Sequence, residues 1–160
     1  MTATAYLGVD PGTHGAIALY APDIDFAAVE DMGTPNTKGV SAKFVADLIR
    51  NIKTSAGPVT IEAWVENVGS LPRQAGSFNF GLYTGIVHGA LAALGIPFRL
   101  VAPIRWKQTL GLRGHDKNMS RALAAQLFPQ LADQLERVKD DGRAEALLIA
   151  WYGAHKGDPV

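Results

Sequence analysis

The sequence predicts a mixed α/β domain whose sheet carries an antiparallel hairpin beside parallel crossovers. Three observations predict it. Short β-prone runs separated by turn residues open the chain, helical apolar periods then alternate with further β-prone runs, and the last third reads as helices. There is no internal repeat and no low-complexity segment to suggest a solenoid or a tail.

The elements follow in order. Tyr6-Leu7-Gly8-Val9 is β-prone and stops at the turn signal Asp10-Pro11-Gly12. Ala16 to Tyr20 restarts the apolar pattern, and Phe26 to Val29 offers a third strand, so the opening reads as a hairpin or meander. Val40, Phe44, Val45, Leu48, Ile49 and Ile52 recur at a helical period, with Ser41 in the N-cap region. Gly57-Pro58 breaks the chain, and Val59 to Val65 reads as a strand ending at Glu66-Asn67. Phe80 to Leu94, rich in Gly and Ala, predicts a closely packed buried helix with another backbone near its glycines. Phe98 to Val101 is the next strand, Met119 to Leu127 a helix, Pro129 the opening of a short one, and Ala144 to His155 a final amphipathic helix. Residues 67–79 and 105–118 remain as long connections, and long connections in compact domains tend to be functional.

Length and composition bound the class. A chain of 160 residues is expected to be one domain, spanning 1–160, with enough apolar residues for a real core. Cysteine is absent, which excludes disulfides and thiolate metal sites. No charged n-region with an apolar h-region opens the sequence, and no apolar run is long enough to span a bilayer, so a cytoplasmic protein without a membrane partner is expected. The formal net charge is zero, yet the charges are unevenly placed. Residues 103–123 hold Arg105, Lys107, Arg113, Lys117 and Arg121 against Asp116 alone, whereas 23–31 hold Asp23, Asp25, Glu30 and Asp31 with no base. A neutral sum therefore accommodates a positive face.

The chemistry lies in the acids. Asp10 stands where a buried strand ends, and Glu66 repeats the arrangement at the end of Trp64-Val65. Strand ends are where ligands gather in open α/β sheets. Glu62 on the same strand face is a rival to Glu66. Asp140-Asp141 forms the third cluster, with Glu145 one helical turn beyond Asp141 and on the same side; which of Asp140 and Asp141 takes part is open, and Asp141 also suits the N-cap of the last helix. Converging carboxylates repel unless cations neutralise them, and hard oxygen ligands without His or Cys suit Mg²⁺ or Mn²⁺. Two such ions about 3.5–4 Å apart clamp the attacking and leaving oxygens of a phosphodiester. His14, His88, His115 and His155 form no metal-spaced pair; His88 reads as core or interface.

Together these segments resemble the RuvC-type Holliday junction resolvases of the RNase H-like superfamily. Leu7-Gly8-Val9-Asp10-Pro11-Gly12 resembles their first strand and acid, and Val65-Glu66-Asn67-Val68 the second acid motif. Pro103-Ile104-Arg105-Trp106-Lys107 is similar to the segment that brings a lysine to the site. Asp141 to Ala150 resembles the last helix with its acid pair. Gly76-Ser77-Phe78-Asn79-Phe80-Gly81 and Leu94-Gly95-Ile96-Pro97 resemble the RuvC-like proteins of phages and prophages. Two departures stand out. The last acids are four apart rather than three, which puts Gly142 where the other acid is expected. The loop after Glu66 also lacks an early aromatic; Phe78 is a candidate substitute, and a core role for Phe78 and Phe80 is the alternative.

The resemblance implies an RNase H-like fold with a central mixed five-stranded sheet flanked by helices. It implies a structure-selective endodeoxyribonuclease that cleaves four-way DNA junctions as a homodimer, in a bacterial or phage-infected cell. It also implies metal ligands Asp10, Glu66, Asp141 and Glu145 holding Mg²⁺, with Mn²⁺ as a substitute and two ions per active site, and a catalytic role for Lys107. Arg73, Arg105, Lys107, Arg113 and Lys117 are the implied DNA contacts, and Trp106 reads as a core anchor. Three other readings remain. Asp10 to Gly15 is similar to the first phosphate loop of actin-like ATPases, which need a second lobe and a longer chain. A broader branched-DNA nuclease and a non-catalytic junction-binding relative share the same motifs.

Overall fold

The computed structural model of the protein describes residues 1–67, 69 and 76–155. β1 (Ala3–Asp10), β2 (Ala16–Ala21) and β3 (Phe26–Asp31) form the expected meander, each antiparallel to the last. β4 (Val59–Glu66) returns parallel to β1, and β5 (Phe98–Val101) pairs parallel with β4. The resulting five-stranded order is β3-β2-β1-β4-β5, so β1 and β4 lie inside the sheet, where both faces are covered. Among the described residues five α-helices, α1 (Ala42–Ala56), α2 (Ser77–Ala93), α3 (Pro103–Thr109), α4 (Lys117–Leu127) and α5 (Asp141–His155), and three short 3-10 turns complete the fold.

Local chemistry sets the helix starts. Ser41 caps α1, its Oγ accepting from the Phe44 N–H at 3.3 Å, and Asp116 caps α4 by accepting from the Met119 N–H at 3.1 Å. α1 then buries Val45, Leu48, Ile49 and Ile52 on one stripe, as the apolar period requires.

Alternation along the two inner strands decides which side chains meet which helices. Leu7, Val9, Ile61, Ala63 and Val65 face α1 and α2 and share a core with Val87 and Leu91. The intervening residues face the other way, where Trp64 packs with Trp106, Phe128, Leu147 and Leu148 of the α3–α5 layer. Each fully buried Leu or Ile in α5 contributes about 1.5–3 kcal/mol relative to exposure. The α5 layer lies unusually close to the sheet. A Cβ on Gly8 would stand 2.1 Å from the Ala146 carbonyl oxygen, and one on Gly142 would stand 2.1 Å from that of His14. A larger residue would push α5 away from β1 at Gly8 and away from the loop after β1 at Gly142.

The structure departs from the sequence reading in three places. α2 is not buried all round: atoms added at Gly81, Gly85 and Gly89 would meet nothing within 4 Å, and Phe78 is 81% exposed. These glycines line an open face, so among the described residues no backbone of this chain approaches them. Part of the expected 105–118 connection is helical, because Pro103 at the first turn of α3 presets the backbone for it. The last helix starts at Asp141, ahead of the first apolar residue of its expected span.

A candidate metal centre at the strand ends

Asp10 closes β1 and Glu66 closes β4. The parallel register pairs Val9 with Val65, so one further step brings the two acids side by side at the same sheet edge. Both belong to the alternation that faces α5. Glu145, one turn into α5, reaches them from above. One carboxylate oxygen from each of Asp10, Glu66 and Glu145 lies within 4.8 Å of the other two. Glu66 and Glu145 are buried, at 5% and 6% exposure. The three line a cavity of about 530 Å³ together with Lys117, Asp141 and the Pro11–Gly15 loop.

Electrostatics follow from this crowding. Burial pushes the Asp10 carboxyl well above its ordinary range, and repulsion from Glu66 and Glu145 pushes the same way, against Lys117 and Lys107. Burial raises Glu66 as well, while the Trp106 hydrogen bond pulls it back and Glu145 adds repulsion. The Trp106 indole donates to Glu66 Oε1 at 2.9 Å, and Lys107 Nζ donates to Glu145 Oε1 at 3.2 Å. Lys107 also lies 5.0 Å from the ring centre of Trp106. Among the described residues, the only convergent cluster of metal-ligating type is thus all carboxylate. Buried acids in mutual repulsion, made of hard oxygens, fit a divalent cation of the Mg²⁺ class.

The other sequence candidates fall elsewhere. Asp141 lines the same cavity but lies outside the three-carboxylate cluster, and its Oδ1 accepts from the guanidinium of Arg121. Asp140 turns away: Arg137 binds it through its side chain at 2.8 Å and its backbone N–H at 2.9 Å, which holds the carboxyl below the usual range. Glu62 is exposed, four residues short of the strand end. Lys117, at the start of α4, faces the acids as well as solvent, whereas Arg105 and Arg113 are exposed on and after α3. Arg73 lies outside the described residues. His88 is half-buried and stacks on Phe98 with centroids 4.8 Å apart. The sequence places Trp106 in the core, and it is fully buried; its hydrogen bond to Glu66 is a further role that the sequence does not announce. Its place beside Lys107 was the available signal. Nothing in the sequence marked Arg121 as a partner of Asp141 beyond its position in the basic 103–123 stretch.

The mixed five-stranded sheet flanked by helices is the RNase H-like fold seen in RuvC-type resolvases. Thermus thermophilus RuvC shares it in two solved structures. The one described as a complex with a Holliday junction substrate matches with a TM-score of 0.61 and 17% identity, over 94% of this chain and 95% of that one. The other matches with a TM-score of 0.58 and 19% identity over the same shares. The fowlpox virus Holliday junction resolvase matches with a TM-score of 0.50 and 14% identity, covering 94% of this chain and 98% of its own. In sequence, the chain is 39% identical over 101 residues to the chloroplastic Holliday junction resolvase MOC1 of Chlamydomonas reinhardtii. That alignment covers 59% of this chain but 11% of the relative, so the chain spans about a tenth of that protein's length. A chloroplastic relative does not fit the bacterial or phage-infected setting expected from the sequence. No family model matches the chain. No helix among the described residues is long and apolar enough to cross a membrane.

Proposed function

We propose that the protein is a metal-dependent endodeoxyribonuclease that cleaves four-way DNA junctions, a crossover junction endodeoxyribonuclease. The observation that carries this reading is the convergence of Asp10, Glu66 and Glu145 within 4.8 Å, at the sheet edge of a RuvC-type fold. Support comes from the resolvase names of the relative in sequence and of the neighbours in structure. Asp10, Glu66 and Glu145 hold Mg²⁺, or Mn²⁺ in its place, and Asp141 joins them when two ions are bound. When bound, such ions activate water and offset charge on the leaving oxygen of a phosphodiester.

The remaining roles belong to this chain's own side chains. Trp106 fixes the orientation of Glu66 through its 2.9 Å hydrogen bond. Lys107 steadies Glu145 and presents a positive charge to the scissile phosphate. Lys117 supplies a second positive charge beside Asp10. Arg105 and Arg113 contact phosphates farther along the strand, which positions the substrate without reading its sequence; Arg73 is assigned the same role from sequence. Two copies act as a homodimer, because a two-fold pair of sites matches the symmetry of a four-way junction. The open Gly81–Gly85–Gly89 face of α2, flanked by exposed Phe78 and Leu82, favours such pairing.

A substrate panel tests this reading. Purified protein with Mg²⁺ is expected to introduce paired nicks in a four-way junction and to cut fork, flap and plain duplex far less. Equal cleavage of all four would replace junction selectivity with broader branched-DNA activity. Binding of the junction without cleavage in any divalent cation would make the protein a non-catalytic junction binder.

A further inference from the structure

Arg121 and Asp141 form the most enclosed ion pair beside the cavity. Arg121 sits one turn beyond Lys117 on α4, and its guanidinium donates both to Asp141 Oδ1 on α5 and to Asn118 Oδ1 on its own helix. The two paired side chains are only 12% and 17% exposed. By contrast, the Lys43–Asp47 pair on α1 is 86% and 37% exposed, a solvated surface contact. Asp141 lines the cavity of Asp10, Glu66 and Glu145 but is not drawn into their cluster. It is already paired with the guanidinium of Arg121.

We propose that Arg121 is a built-in competitor for the second divalent cation. In the DNA-free protein its guanidinium occupies Asp141, so Asp10, Glu66 and Glu145 take one ion, and a second enters only when Arg121 leaves Asp141. This rests on the reading of the carboxylates as a metal centre. The electrostatics favour a coupled exchange rather than simple opening. A guanidinium this enclosed is costly to strand without an anion, so it gives up Asp141 only where another acceptor is at hand. A phosphate oxygen of the DNA strand is such an acceptor, since the planar donor fork of arginine matches phosphate as well as carboxylate. Arrival of substrate then frees Asp141 for the second ion. Arg121 is a positioning residue here; it acts through Asp141.

The test is Mn²⁺ titration of the DNA-free full chain by calorimetry. Wild type is expected to bind one ion per chain. Arg121→Gln is expected to bind a second, and Arg121→Gln with Asp141→Asn to return to one. A measurement that needs no change at Arg121 runs in parallel. Asp141→Asn alone leaves the first ion's affinity within about twofold, a difference well under 1.4 kcal/mol. A four-way junction with non-hydrolysable linkages brings a second ion to wild type but not to Asp141→Asn. Two ions on DNA-free wild type, or loss of the first ion in Asp141→Asn, would overturn the inference while leaving the metal-centre reading intact. No Mn²⁺ binding by wild type at all would overturn both.

Discussion

The Trp106 indole donates to Glu66 at 2.9 Å, joining a fully buried side chain of α3 to an acid at the end of β4. A hydrogen bond to a charged acceptor contributes about 1.5–3 kcal/mol. It also steers Glu66, because a donor on one oxygen leaves the other for the cavity. Trp106→Phe should therefore lower thermal stability and weaken Mn²⁺ binding together, with the Glu66 carboxyl shifted further upward. Calorimetric melting and Mn²⁺ titration on the same variant check this; an unchanged ion affinity would confine Trp106 to packing.

Lys107 is a third exposed, and its partner Glu145 is nearly buried. Solvent screening keeps the stability contribution of such a pair to about 0–1 kcal/mol. Its effect on catalysis should be far larger. Lys107→Met is expected to leave the melting temperature nearly unchanged and to reduce single-turnover cleavage of a four-way junction by about a hundredfold or more. A parallel fall in stability and rate would instead point to a structural lysine.

Asp10 and Glu66 both carry raised pKa values, led by burial. Between the unfolded carboxylate range and the higher folded values, the native state binds more protons than the unfolded chain, so stability falls as pH rises through that window. Metal-free protein should therefore be more stable on the acidic side of neutrality than these groups allow above it. Asp10→Asn should raise the melting temperature of the metal-free protein, flatten this pH dependence, and abolish cleavage while preserving junction binding. Melting curves across the acidic-to-neutral range with chelator present, alongside cleavage and gel-shift assays, measure all three.

Gly142 sits in backbone contact with His14, where a Cβ would stand 2.1 Å from a carbonyl oxygen. Gly142→Ala must displace the first turn of α5, and overpacking of this kind costs about 1–3 kcal/mol. Because Glu145 rides on that turn, ion affinity should fall as well. The same substitution at Gly57, which has open space around it but a left-handed φ of 77° that strains any side chain, should cost stability yet leave ion binding untouched.

Much of the fold was legible in the sequence for a simple reason. β1 and β4 announce themselves as apolar runs cut off by an acid, and where both faces are buried, over Ala63 to Val65 in β4, the next acid falls at the strand end. The sequence alone thus places Asp10 and Glu66 at strand ends. Glu145 was legible from its distance along the last helix. The choice between Asp140 and Asp141 was not, because it turns on Arg137 and Arg121, whose reach depends on tertiary geometry rather than spacing. α2 misled for a related reason. Gly81, Gly85 and Gly89 signal close backbone approach in one chain and an open face in another with the same letters. Short α3 escaped notice because seven residues give too little period to read.

The most direct test is a crystal of the DNA-free protein soaked in Mn²⁺, with data collected at the manganese absorption edge. One anomalous peak is predicted between Asp10, Glu66 and Glu145, with each carboxylate oxygen about 2.0–2.3 Å from it. An ion bound elsewhere, or none at this position at saturating Mn²⁺, would contradict the carboxylates as a metal centre.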